Sequence, residues 1–285
     1  MDETNIQWFP GHMTKTKRHI EKLLSLVDAV AEIVDARVPL SSRNPELDKL
    51  IAGKPRLLLL NKCDMADTEK TVSWHEYFEK KGIHVLDISC KEQSGVKQFV
   101  PLCREVLADK IASNAAHGMQ GRAIRVMIVG IPNVGKSTLI NRLLGASRIK
   151  AEDRPGVTRG EQWINLGAGM ELLDTPGILW PKFDDPRVGE LLAFTGAIKD
   201  TVVDTETLAV RLIETLLSLY PDAIPARYGV STDYDEFVYE ILEKIAVARH
   251  FIRKGAVPDT ERAATILLDE FRAGLLGRMT LETCC

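Results

Sequence analysis

Gly130-Ile131-Pro132-Asn133-Val134-Gly135-Lys136-Ser137 is the stretch that decides the fold. It follows the apolar run 124–129 and opens a helical pattern over 136–144, so the order is strand, glycine-rich loop, helix. That is the setting a G-x-x-x-x-G-K-S sequence needs to hold phosphate. Glycines let backbone N–H groups close on phosphate oxygens, Lys136 neutralises charge at the β and γ positions, and the Ser137 hydroxyl is a ligand for Mg²⁺. A nucleoside triphosphate is the expected ligand, with Asn133, Val134, Gly135, Lys136, Ser137 and Thr138 as its phosphate-side set.

Working outward, short apolar runs at 29–34, 57–60, 85–88 and 169–173 alternate with helical patterns at 44–52, 69–81 and 96–111. Strand alternating with helix predicts an α/β domain with a mostly parallel sheet covered by helices on both faces. Residues 162–173 break the alternation, because two runs meet at Gly167-Ala168-Gly169 and read as an antiparallel hairpin. Near the N-terminus, Ile20, Leu23, Leu24 and Val27 give residues 14–27 one apolar helical face. Residues 113–118 are small and polar, as in a connector. From about 204 the strand signals stop, and helical patterns at 207–219, 235–252 and 260–276 predict a small all-helical domain.

The base is read from Asn61-Lys62-Cys63-Asp64, at the C-terminal end of the run 57–60. An ionised Asp64 accepts two hydrogen bonds from the N1 and N2 donors of guanine, which adenine does not supply. Ser89-Cys90-Lys91 follows another strand and supports the base from its other side through backbone N–H groups. Asp174-Thr175-Pro176-Gly177 ends the strand after the hairpin turn; a D-x-x-G there brings Asp174 to Mg²⁺ and the Gly177 N–H to the γ-phosphate. Thr158, in the loop 154–159, is the natural second hydroxyl ligand for Mg²⁺. GTP is therefore the expected nucleotide, with GDP its product.

The motif order is unusual. Asn61 and Ser89 precede Gly130, Thr158 and Asp174, whereas Ras-like GTPases carry the phosphate loop first, so the G domain reads as circularly permuted. With this order, Trp8-Phe9-Pro10-Gly11-His12-Met13 at the start, Asp35-Ala36-Arg37 after the first strand and a helical tail, the sequence resembles the circularly permuted GTPases of ribosome assembly, most closely the ribosome biogenesis GTPase A (RbgA/YlqF) family. The resemblance covers essentially the whole chain. It implies a GTPase acting in late maturation of the large (50S) ribosomal subunit, with the subunit precursor, its rRNA and its proteins as partner and stimulator of hydrolysis. It also implies an ANTAR-like helical domain at the C-terminus. The expected division is a G domain over 1–180, a switch-connected linker over 181–203 and the helical domain over 204–285.

Hydrolysis needs an oriented water. The position after D-x-x-G, where Ras-like enzymes place Gln, holds Ile178, which has no capacity for that. The resemblance points instead to His12, joining Lys136, Thr158 and Gly177 as the catalytic set. In relatives with Asn at the place of Asn133, a K⁺ ion binds beside the β and γ phosphates, which makes Asn133 a K⁺ ligand candidate. Arg37 and Arg43 are further cation candidates, with a surface location as the alternative. The remaining histidines, among them His75, carry no motif and read as surface residues.

Composition frames these readings. Hydrophobic residues at 45% and charged residues at 27% describe an ordinary globular chain, with no apolar run approaching a membrane span. Net charge is −3, split between +3 over 1–199 (28 Lys and Arg against 25 Asp and Glu) and −6 over 200–285 (9 against 15). Five cysteines without a C-x-x-C pair read as reduced thiols, and the start carries no signal segment, so a cytoplasmic location with neither membrane nor DNA as partner is expected. Glu282-Thr283-Cys284-Cys285 suggests no function. Two other readings remain open at this point: a nucleotide-gated scaffold, and a regulatory GTPase without a ribosomal role.

Overall fold

The computed structural model describes residues 20–51, 53–145, 162–167, 169–177, 183, 185–198, 204–232 and 237–284. His12, Thr158, Ile178 and Cys285 lie outside them. The chain divides into two bodies, one comprising 7–183 with 282–285 and the other 184–281 with 1–6.

The first body is built on a six-stranded sheet. Its elements in chain order are β1 (Ala29–Asp35), α1 (Pro45–Leu50), β2 (Arg56–Asn61), α2 (Thr68–Lys80) and β3 (His84–Asp87), then α3 (Phe99–Val106), α4 (Ala108–Ala116) and β4 (Ile124–Val129), then α5 (Lys136–Leu144), β5 (Gln162–Gly167) and β6 (Met170–Asp174). The sheet order is β3-β2-β1-β4-β6-β5, all parallel except β5, which runs antiparallel on β6 as the hairpin reading requires. Helices cover the central strands on both sides, so β1 is buried at every position and Leu57, Leu58, Leu59 and Leu60 are all inaccessible. On one face Ile20, Leu23, Leu24 and Val27 pack with Val30, Leu47, Met127 and Leu173. Further along the same face, Trp74 and Phe78 of α2 pack with Val34, Leu58 and Leu60.

Details depart from the sequence reading. The pattern 96–111 is broken: a 3₁₀ turn (Val96–Gln98) precedes α3, and Leu107 separates α3 from α4. Residues 113–116, read as connector, finish α4 as an exposed helix. His75 is only part-exposed, its Nδ1 lying 3.0 Å from Asp87. Burial opposes its protonation, but the hydrogen bond and charge of Asp87, with Glu79, raise it above the usual histidine value.

The second body holds α6 (Pro186–Phe194), α7 (Thr205–Leu219), α8 (Ala223–Tyr228), α9 (Val238–Ala248) and α10 (Thr260–Ala273). Asp185, Asp204 and Asp259 cap α6, α7 and α10 by accepting from Arg187, Thr207 and Arg262 N–H groups. Leu212, Ile213, Ile241, Ile245, Leu267 and Phe271 form its interior. Two features escaped the sequence. Residues 252–258 form a two-stranded ribbon, β7 (Ile252–Arg253) with β8 (Val257–Pro258), between two helical patterns expected at 235–252 and 260–276. The stretch read as linker contains α6, whose last carbonyls, Ala193 and Phe194, accept from the Arg272 guanidinium of α10. Among the described residues no helix is long and apolar enough to cross a membrane.

Candidate active site

Five strands deliver their last residues to one edge of the parallel sheet: Asp35, Asn61, Asp87, Val129 and Asp174. This is the edge where open α/β sheets bind ligands. The sequence-derived motifs begin at or just beyond these residues.

The phosphate loop leaves β4 at Gly130, where a Cβ would come within 2.5 Å of the Ile33 carbonyl, so the loop passes flush against β1. Asn133 at φ +62° and Gly135 at φ +103° turn it back into α5. A Cβ on Gly135 would also collide with Asn61 Nδ2, which gives that glycine two independent reasons. Lys136 is 8% exposed and its Nζ donates to the Gly130 and Ile131 carbonyls at 2.9 and 3.1 Å. Burial pulls its ammonium down to about 8 against the opposing charge of Asp174. Ser137 and Thr138 follow on the first turn of α5 and are part-exposed.

Asp174 is the counterpart. It is 1% exposed, and among the described residues neither carboxylate oxygen has a hydrogen-bond partner. Burial pushes it up to about 6, with the Lys136 charge opposing. A buried carboxylate without donors is a costly arrangement that a bound cation relieves. With the Ser137 hydroxyl it makes the hard oxygen donor set Mg²⁺ takes, so the residues fit that ion. Thr175 next door anchors the turn through Oγ1 to the Ile128 carbonyl at 2.8 Å. Gly177 lies against the loop: a Cβ there would stand 3.0 Å from Pro132 N and 3.1 Å from Lys136 Nζ.

The base-side motifs are physically joined to this loop. Asn61 is 2% exposed; its Nδ2 donates to the Val134 carbonyl at 2.6 Å and its Oδ1 accepts from Cys90 N–H at 3.1 Å. Thus one amide ties together the segments carrying Asp64, Cys90 and the phosphate loop. Asp64 Oδ1 is buried without a hydrogen-bond partner among the described residues, as an acceptor waiting for donors would be. Ser89 is fully buried, and its Oγ accepts from Glu92 N–H at 3.0 Å. Cys90 is buried too, its thiol pushed up to about 12 by desolvation, so it is chemically inert there. Lys91 is exposed.

The roles of three groups here were not found from sequence. Arg142 of α5 donates from Nε to the Cys90 carbonyl at 2.9 Å and from Nη2 to the Lys91 carbonyl at 3.3 Å, fixing the base-side loop from the phosphate-side helix. Arg37 and Arg43, weighed as catalytic cations or surface residues, are neither free cations nor surface groups. They are 1% and 9% exposed and bind Asp35 and Glu32. Burial of Asp35 and Glu32 in β1 demands such partners, and two strand carboxylates followed by two arginines was the available signal. Glu282 is the third: its carboxylate accepts from Leu40 N–H at 2.7 Å, from Ser41 N–H at 2.9 Å and from Ser41 Oγ. Its carbonyl accepts from Trp74 Nε1 at 3.3 Å, and no local pattern announces it. His12 and Thr158 lie outside the described residues, so their relation to the site is not part of this geometry.

A parallel sheet whose base-side loops precede its phosphate loop in the chain defines a circularly permuted P-loop GTPase. Residues 125–248 match the family model described as "50S ribosome-binding GTPase". The chain is 46% identical to ribosome biogenesis GTPase A of Bacillus cereus over 98% of its own length and 94% of that protein. It is 35% identical to mitochondrial ribosome-associated GTPase 1 of Bos taurus, covering 97% of this chain and 88% of that one. Among solved structures, GNP-bound YlqF from T. maritima is similar at TM-score 0.67 and 31% identity, covering 94% of this chain and 98% of that one. The chain belongs to the ribosome biogenesis GTPase A family, and it is a GTP hydrolase.

Proposed function

We propose that this GTPase drives a late step of large (50S) ribosomal subunit assembly in the cytoplasm, with rRNA or the pre-ribosomal particle stimulating its hydrolysis. The observation that carries this reading is the match of residues 125–248 to the 50S ribosome-binding GTPase family. In this reading residues 1–180 act as the G domain, 181–203 as a switch-connected linker and 204–285 as an ANTAR-like helical domain.

Asp64 reads the N1 and N2 donors of guanine, with Asn61 and Lys62 shaping that side and Ser89, Cys90 and Lys91 closing the other. Asn133 to Thr138 wrap the phosphates, and Lys136 exchanges its two loop carbonyls for β and γ oxygens. Ser137, Thr158 and Asp174 would hold Mg²⁺, which would supply neutralisation of the phosphate charge. Asn133 offers an amide oxygen to K⁺. Gly177 meets the γ-phosphate through its N–H, and His12 orients the attacking water. The contribution of these residues is positioning and charge stabilisation in a desolvated pocket.

Sedimentation with 50S precursors tests the reading: the GTP-analogue form should co-sediment more than the GDP form, and the particle should raise turnover. Equal sedimentation in all nucleotide states, with unstimulated turnover, would overturn it. His12→Ala should lower stimulated turnover by roughly 10²- to 10⁴-fold. A wild-type stimulated rate would pass the role to the K⁺ site or the particle, and exchanging K⁺ for Na⁺ separates those.

A further inference from the structure

We propose that Asp35 and Arg37 are positioning residues for Lys62, and so set how firmly the site grips guanine; this rests on the guanine-site reading above. Asp35 is the last residue of β1 and stands opposite Asn61 in the sheet register, and the Ala36 N–H donates to the Asn61 carbonyl at 2.8 Å. Its carboxylate is fully engaged. Oδ1 accepts from the Arg37 N–H and from Arg37 Nε, both at 3.0 Å, while Oδ2 accepts from Arg37 Nη2 at 2.9 Å and from Lys62 Nζ at 2.9 Å.

The burial makes this more than a surface pairing. Asp35 and Arg37 are 2% and 1% exposed, and the two cations hold the carboxyl well below the usual carboxylate range against the opposing pull of burial. Arg37 alone would balance Asp35. A second cation at the same oxygen therefore needs an explanation, and the fork supplies one: gripping the carboxylate in two places, Arg37 leaves Oδ2 aimed in one direction, toward Lys62.

Lys62 is itself constrained. Its φ is +64°, a conformation that a residue with a Cβ adopts only when its surroundings hold it. A free lysine stem samples many rotamers and would lose that freedom on contacting a ligand. With Nζ anchored, the four-carbon stem, two residues before Asp64 in the chain, is already fixed, and it is an apolar strip of the kind that packs on a flat ring. The loop carrying Arg37 is fixed as well, since the Asp35 N–H donates to Ser42 Oγ at 3.0 Å and that hydroxyl donates to the Val38 carbonyl at 2.7 Å. The Asp35-Ala36-Arg37 motif, which the phosphate and base chemistry leave without a task, gains one here.

The test is a double-mutant cycle on the full chain, reading GDP affinity by calorimetry. Arg37→Gln is the main variant because it keeps the Asp35–Lys62 pair neutral, whereas Asp35→Asn strands the buried Arg37 and the part-exposed Lys62 and endangers folding. Arg37→Gln should weaken GDP binding by about tenfold in the wild-type background and by less than about twofold in the Lys62→Met background. Equal factors in both backgrounds would reduce Arg37 to a fastener of its loop and overturn the proposal, as would no effect in the wild type. If Lys62→Met alone leaves GDP affinity unchanged, the guanine-site assignment of Lys62 falls, and the proposal with it.

Discussion

Asn61 and Val134 stand 73 residues apart in the chain and are joined by a hydrogen bond from Asn61 Nδ2 to the Val134 carbonyl at 2.6 Å. Because Asn61 Oδ1 also accepts from Cys90 N–H, truncation to alanine strands two buried polar groups. Each costs about 1–3 kcal/mol, so Asn61→Ala should destabilise the nucleotide-free protein by roughly 2–6 kcal/mol and weaken GDP binding as well. Urea denaturation measures it, and an unchanged midpoint would mean the bridge is absent in solution.

Asp64→Asn should weaken GTP and shift preference toward xanthine nucleotides, since an amide exchanges one acceptor for a donor at the base edge. Competition between GTP and xanthosine triphosphate decides it. Retained discrimination would remove Asp64 from the base site.

Gly177→Ala places a methyl group against Pro132 N and Lys136 Nζ. The Lys136 end can shift but the backbone nitrogen cannot, so the turn must back away from the phosphate loop. GTP affinity should fall by roughly tenfold, the worth of one charge-assisted hydrogen bond, while GDP binding changes little. Equal losses for both nucleotides would place Gly177 away from the γ-phosphate.

In the second body Glu270 accepts from Arg227, Tyr228 and Arg249, all at 2.8 to 3.1 Å. The Arg227 hydrogen bond leads in holding its carboxyl below the usual glutamate value, burial opposing. A lowered folded pKa means the unfolded chain takes up the proton first. The stabilisation is therefore complete above the unfolded value of about 4.5 and is lost as pH falls through the folded one. Glu270→Gln should cost about 1 kcal/mol at pH 7, and its thermal unfolding curve should converge with wild type in acid. A gap independent of pH would refute the assignment.

Glu282→Ala should loosen the loop 38–42 in the first body, removing a carboxylate that receives two backbone N–H groups and a hydroxyl. A cost of about 1–3 kcal/mol follows. Hydrogen exchange at Leu40 and Ser41 reports it directly; unchanged protection there would deny the clamp.

What the sequence disclosed and what it withheld divide along a physical line. Glycine-rich phosphate loops and strand-end motifs are local, because a few consecutive residues must meet one ligand, and so 130–137, 61–64 and 174–177 were legible with their edges. The apolar runs marked the central strands for the same reason, since β1, β2, β4 and β6 are buried along nearly their whole length. The ribbon at 252–258 was not legible: two residues per strand give no period to read. Partners distant in sequence were hidden as well. Arg142 reaching the Cys90 carbonyl and Glu282 reaching Ser41 are fixed by tertiary placement, and a lone arginine or glutamate carries no sign of its partner.

The sheet order also bears on how the chain comes into being. During synthesis β1, β2 and β3 emerge with the guanine-side loops, but the neighbour that covers the remaining edge of β1 is β4, and its own neighbour β6 comes later still. At about 5–20 residues per second, the interval between Lys91 and Val129 is roughly 2–8 s. For that time a nascent chain exposes the bare apolar edge of Ala29–Asp35, an invitation to mispairing that a helper protein or the exit-tunnel surface must cover. Nucleotide cannot assist until the last strand is in place. Once it binds, it stabilises only the closed sheet, so cellular GTP and GDP act as a late inspector of whether the permuted halves have met.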